Sequence, residues 1–276
     1  MSNQNSILLI DPAFDPTTSV NCSLLIKIGI DSFSYAILNK DTNKISAVFN
    51  EQECMDPVKK LSDRLKSDSY LSLTYTEVKL AIYTENNISI PNELFNSSDL
   101  ALNASFFTQA HAGNLYTTSH PNFGFKSVFS FSKITEEIIN QLLASSKKFE
   151  SNAALLKLAE NIAGSSILLD FTAGSIQVLY QKDKQVIFQQ CYEIENVEEF
   201  NYYLLLMIDQ LKINLIETPV YVSGIIHEGD EKFNCLSQYF AAIKFLDFVD
   251  FNLDQQVLED MPSHYYTSLL ALDQCE

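Results

Sequence analysis

The sequence predicts an α/β protein of two lobes, a duplication in which each lobe is a mixed five-stranded sheet flanked by helices. Three observations carry that expectation. A strand-turn-strand unit near Leu24–Phe49 recurs near Ser165–Gln190, a helix and a strand follow each copy, and 276 residues is close to the length at which one hydrophobic core gives way to two. Leu24–Ile28 precedes Gly29–Ser34 as Ser165–Leu169 precedes Asp170–Ser175, an offset of 141 (29 to 170). At that offset the polar turn Lys40–Lys44 falls on Gln181–Gln185, the helical stretch from Pro57 on that from Glu198, and the apolar run Val78–Tyr83 on Pro219–Gly224.

Along the chain, Pro12 and Pro16 keep the start extended or turned until a first strand near Ser23, and three strands follow. Asp56 caps a helix with Pro57 at its first position and Val58, Leu61 and Leu65 on one face. Lys79–Tyr83 then reads as a parallel strand, because a helical crossover normally returns the chain parallel. Ile90–Ala104 is polar and short-helical at best. Gln109–Phe131, where Gly113, Pro121, Gly124 and the aromatics Tyr116, Phe123 and Phe125 break regular periodicity, reads as a hairpin or long loop, so residues near 90–146 form an insertion in the first lobe. Ser132 starts a helix with Ile134, Ile138 and Leu142 inward and Glu136 and Glu137 in its first turns. A second helix, Ser151–Ala163, ends at Gly164 as a left-handed cap. That glycine sets the expected boundary: residues 1–164 form the first lobe and 165–276 the second. There, Asn196 and Glu199 have capping-box spacing ahead of a helix carrying Phe200, Leu204, Met207 and Leu211. Val220–Val222 is a buried strand, Asp230–Phe240 a helix, Ala242–Phe248 an edge or closing strand, and Pro262–Asp273 a helix that docks Tyr266, Leu269 and Leu270.

Composition narrows the function classes. A formal charge of −17, from 35 acidic and 18 basic side chains, repels a phosphate backbone, so no nucleic acid is expected as partner. No apolar run reaches the ~18 residues that a membrane span needs, and because Met1–Asn5 is uncharged and Ser6–Ile10 is short, no signal peptide is expected. The expected location is the cytoplasm. Five scattered cysteines, Cys22, Cys54, Cys191, Cys235 and Cys275, read as reduced, mostly buried thiols. His111, His120, His227 and His264 have no partner at metal-ligand spacing, so neither a metal site nor a histidine catalyst is expected.

The repeated order of strand, turn, strand, turn, strand, helix and strand resembles the actin-like ATPase (ribonuclease-H-like) fold shared by actin, heat-shock chaperones, sugar kinases and bacterial pilus-assembly actin homologues. More closely, Leu25–Leu38 and the ending Pro262–Tyr266 with Cys275-Glu276 are similar to a bacterial family of unknown function with that fold. The resemblance implies a cleft between the lobes in which the first turn of each lobe wraps nucleotide phosphates and a glycine-rich loop of the second lobe holds the adenosine. The turn Gly29–Ser34 lacks the family's aspartate-any-glycine pattern, and Phe33 is expected to fill space that phosphate would need. Asp170–Ser175 keeps its leading aspartate and one glycine. The adenosine loop becomes Ser223-Gly224-Ile225-Ile226, with β-branched bulk after a single glycine. The whole chain has 7 glycines, where average usage gives about 19. Asp31 and Asp170 alone stand where a magnesium ligand would; the alternative for each is to close its own turn by accepting from nearby N–H groups.

The expected function is therefore a non-catalytic interaction or scaffold protein on a degenerate nucleotide fold, with no cofactor. Its lobes and the Gln109–Phe131 segment would form a docking surface for a protein partner or a homodimer interface. The alternative is a divergent ATP-binding protein or ATPase that takes ATP with magnesium through Asp170, Thr172, Gly174, Ser175 and Gly224.

Overall fold

The computed structural model describes residues 5–109, 113–247 and 253–276; His111 and the last residue of the expected strand Ala242–Phe248 lie outside them. The first half runs through β1 (Ser6–Ile10), β2 (Cys22–Ile28), β3 (Phe33–Asn39), β4 (Lys44–Glu51), α1 (Pro57–Ser67) and β5 (Glu77–Ile82). The insertion follows, with β6 (Asn87–Pro91), α2 (Leu100–Ala104), β7 (Tyr116–His120), β8 (Phe125–Phe129) and α3 (Lys133–Leu142), before β9 (Lys147–Glu150) rejoins the first sheet. The second half comprises α4 (Ala153–Ala159), β10 (Ser166–Phe171), β11 (Ser175–Lys182), β12 (Gln185–Glu193), α5 (Val197–Leu211), β13 (Val220–Gly224), α6 (Glu231–Ser237), β14 (Ile243–Phe245) and α7 (Thr267–Ala271).

The strands form sheets in the orders β1-β4-β3-β2-β5-β9, β12-β11-β10-β13-β14 and β6-β8-β7. Without β1, the two larger sheets have one plan: an antiparallel three-strand meander, then two parallel strands reached through crossovers. The first sheet has six strands where five were expected, because Ser6–Ile10 pairs antiparallel with the far edge of β4. That pairing spans some forty residues of chain, and no local pattern in a five-residue segment announces it.

The register of the repeat also differs from the expected one. Ile28 faces Phe33 across the first turn as Phe171 faces Ile176 across the second, an offset of 143 (28 to 171). Both central hairpins carry a bulge at the same place, after Ile37 and after Tyr180. The β3–β4 connection then spans Asn39 to Lys44, whereas β11–β12 closes from Lys182 to Gln185. The second turn is two residues shorter, so the offset of 141 describes β4 and β12, not the first hairpin strands. On the corrected register Lys27, not Gly29, matches Asp170.

Strand alternation distributes the core. Leu24, Ile26 and Ile28 join Phe33, Tyr35, Phe49 and Leu61 beneath the first sheet, and Ile167, Leu169 and Phe171 join Phe200, Leu204 and Met207 beneath the second. Phe33 is thus a core residue at 0% exposure and fills no phosphate space. The opposite faces meet in a third cluster, where Leu25 and Leu168 pack with α4 and α7. α4 lies on β10 and β11, and α7 touches β2, β3, β13 and α4, so the C-terminal helix is wedged between the sheets.

Local signals held where a cap fixed them. The Asp56 side chain accepts from Lys59 N at 2.9 Å and that of Asn196 from Glu199 N at 2.8 Å. In α3 the expected inward stripe is rotated: Ile134 is 71% exposed, while Glu136 and Ile139 are buried. Glu136 turns in because the Tyr116 hydroxyl and the Asn114 amide donate to its carboxylate. Helices α4, α6 and α7 are shorter than their periodicity suggested, and Gly164, at φ +74°, lies beyond the end of α4. None of the described helices is long and apolar enough to cross a membrane.

One buried charge makes the fold sensitive to pH. Glu150, 1% exposed at the end of β9, accepts from Asn152 N through one carboxylate oxygen, and the other oxygen has no hydrogen-bond partner among the described residues. Burial pushes its carboxyl up from 4.5 to about 7. A carboxyl raised on folding contributes stability that is complete below 4.5 and is lost as pH rises through 7, a loss on the order of 3 kcal/mol. Glu150→Gln should therefore raise the urea midpoint above pH 7 and leave it little changed below 4.5; equal midpoints for the two proteins above neutrality would refute this account.

Candidate functional site

The corrected register explains how two opposite charges come to face each other. In β2, alternation turns Leu25 and Lys27 to the side of the third core cluster, and in β10 it turns Leu168 and Asp170 to that same side. Lys27 Nζ lies 2.5 Å from Asp170 Oδ2, with side chains 10% and 4% exposed. Ser268 of α7 accepts from Lys27 at 2.8 Å and donates to Asp170 Oδ2 at 2.7 Å; Ser223 of β13 donates to Asp170 Oδ1 at 2.8 Å. Four elements from both lobes thus converge on one ion pair.

A second set of contacts closes the mouth of the cleft. Asp31, in the first turn, reaches across to the turn that follows β10. Its Oδ1 accepts from the hydroxyls of Thr172 at 2.8 Å and Ser175 at 2.9 Å, and its Oδ2 accepts from Gly174 N at 2.8 Å. Ala173 N donates to Gln52 Oε1 at 3.0 Å, and Lys232 Nζ donates to Ala173 O at 3.3 Å. Burial lowers the Lys232 ammonium, a shift opposed by Asp31 and Asp230. The bare Cα of Gly174 is what admits the carboxylate, since a Cβ there would stand 3.1 Å from Asp31 Oδ2. A turn whose hydroxyls and N–H groups converge on an oxyanion is an anion-binding concavity, and here the anion belongs to the chain itself.

Of the residues the sequence singled out, Asp170, Thr172, Gly174 and Ser175 come together at the cleft. Gly224 lines the same small space as Asp170 and Thr172; at φ +79°, a Cβ there would fall 2.0 Å from Phe171 O, so its bare Cα also serves the packing of β13 against β10. Neither aspartate caps its own turn. Lys27, Gln52, Lys232 and Ser268 escaped the sequence reading, and Ser223 entered it only as the start of the adenosine loop; of the missed residues Lys27 alone left a signal, as a lysine in a largely apolar strand. The space left between Lys27, Asp170 and Tyr266 measures about 40 Å³, room for a few waters, whereas small-molecule pockets run to about 300–1,000 Å³. Cys191 is near these charges, and burial holds its thiol up at about 12, which makes it a poor nucleophile. No metal-binding group of three or more His, Cys, Asp or Glu exists among the described residues.

Comparison with known proteins agrees with this architecture. The family described as "Protein of unknown function (DUF3822)" matches residues 11–243. A Bacteroides thetaiotaomicron protein of actin-like ATPase fold and unknown function superposes with a TM-score of 0.76 at 18% identity, covering 95% of this chain and 99% of its own. A chain of the PilM-PilN type IV pilus biogenesis complex gives 0.61 at 11% identity, covering 93% and 98%. The ethanolamine utilization protein EutJ from Carboxydothermus hydrogenoformans gives 0.50 at 8% identity, covering 97% and 93%. These likenesses establish the actin-like ATPase fold; no curated protein matches the sequence.

Removing one partner of a buried ion pair strands the other, at a cost of about 3–5 kcal/mol. Lys27→Met should lower unfolding stability by that order in urea melts, and Lys27→Met with Asp170→Leu should recover most of the loss, because the two effects share one contact. Additive losses in the double variant would remove the ion pair as the link between the lobes.

Proposed function

The chain belongs to the DUF3822 family of proteins of unknown function, and we propose that it acts as a nucleotide-independent scaffold, a cytoplasmic protein-interaction platform whose lobes, divided near residue 164, are held closed by their own side chains. The observation that supports this most is the Asp31 carboxylate resting on three donors of the opposite turn. A nucleotide phosphate would need those same donors, and a magnesium ion would need the Asp170 carboxylate that already carries the Lys27 ammonium and two hydroxyls. As folded, this residue set does not fit a magnesium nucleotide. Binding one would mean breaking a buried ion pair and three charge-assisted hydrogen bonds before any new contact formed.

A second reading draws on the same turn. Because Thr172, Gly174 and Ser175 already hold an oxyanion, parting the lobes would free them, beside Asp170 and Gly224, for ATP with magnesium. Calorimetric titration separates the two readings. The scaffold is expected to give no saturable heat with millimolar magnesium ATP or ADP and no thermal shift, whereas a ligand at 100 times its Kd stabilises by about 2.7 kcal/mol. Saturable binding that Asp31→Ala strengthens and Thr172→Val weakens would replace the scaffold reading with the second.

A further inference from the structure

Between the insertion and the second sheet runs a groove of about 470 Å³, within the range of about 300–1,000 Å³ typical of ligand sites. Pro91, Phe123 and Phe125 line one wall, and Val186, Ile187 and Phe188 of β12 line the other. β12 is an outer strand of its sheet, so every second residue along it turns its N–H and C=O away from β11. No strand pairs with that edge among the described residues. Ile187 is 45% exposed, and Gln189, which also lines the groove, keeps a buried Oε1 with no donor among the described residues. A buried amide oxygen left in this state costs about 1–3 kcal/mol, which an N–H donor entering the groove would relieve.

The rim charge runs against that of the chain. Lys184 adjoins Gln185, Lys182 sits across the strand pair from it with Asp183 between the two lysines, and Lys126 adjoins Phe125, so the rim carries a net positive charge. Among the described residues none of the three makes an ion pair; the Lys126 ammonium rests 4.4 Å from the Phe95 ring centroid. No carboxylate stands directly next in sequence to a lining residue, although the protein has 35 acids against 18 bases.

We propose that this groove takes an extended, acidic segment of a partner protein, which adds as a further strand to β12 and seats its apolar side chains against Pro91, Phe123 and Phe125. An open strand edge selects an extended chain through main-chain hydrogen bonds, and the walls select alternate side chains. The lysines select carboxylates at its flanks. This names the partner chemistry for the scaffold reading and rests on it.

Random dodecapeptides displayed on phage and selected on the intact protein test the proposal. Recovered peptides should combine Asp or Glu with alternating β-branched or aromatic residues. Their affinity should fall about tenfold or more, roughly 1.4 kcal/mol, for Ile187→Asp and for the double variant Lys182→Glu with Lys184→Glu. All three positions are exposed, and urea midpoints check that each variant folds. Failure to enrich peptides, enrichment of basic ones, or undiminished binding to both variants overturns the proposal. So does a wild-type dimer that Ile187→Asp dissociates, since the occupant would then be a second copy of the chain. The same samples titrated with magnesium ATP keep the two readings apart: nucleotide binding with the peptide result intact sinks only the scaffold, and loss of the peptide result without nucleotide binding sinks only the groove.

Discussion

The protein's two halves are held in one arrangement by charges of opposite sign at matching places in a duplicated sheet. Lys27 and Asp170 occupy the same register position of their central strands, and with Ser223 and Ser268 they form a buried, hydrogen-bonded ion pair. Two carboxylates at those places would repel each other and call for a cation between them. With a lysine at one of them, the cation is covalently part of the fold. Asp31 does the same for the anion, filling the concavity of the second turn. The cleft is closed by the chain's own side chains, and around the pair lie the wedge of α7, a small residual cavity and the glycine beneath the Asp31 carboxylate.

Much of the fold was legible because it is written in alternation and caps. Leu24–Ile28 and Ile167–Leu169 declare strands through their apolar residues, Asp56 and Asn196 mark helix starts, and the order of elements in each half is enough to suggest the duplication. Long-range pairing was not legible. Ser6–Ile10 is a strand only because β4 offers it an edge, and Ile134 faces solvent because Glu136 finds buried donors in the insertion that no neighbour in sequence reveals.

The site was half legible for a similar reason. Asp170, Thr172, Gly174 and Ser175 stood out by type, as did Asp31, but their partners depend on how the lobes meet. A β11–β12 turn two residues shorter than its counterpart placed Gly29 opposite Asp170 in the sequence alignment and hid Lys27. Phe33 looked obstructive for the same cause, since on the true register it matches Ile176 and points into the core. Ser268 carries no local mark; it becomes part of the site only when the C-terminal helix is wedged between the sheets.

The residues that meet across the lobes are far apart along the chain: Lys27 and Asp170 are separated by 143 positions and Lys27 and Ser268 by 241. Contacts of such high order form slowly, because loop closure must precede any energetic return. Each meander and its crossover helix instead close over short spans. Loop-closure entropy therefore favours the meanders forming ahead of the union of the lobes, the step that brings both desolvated charges together.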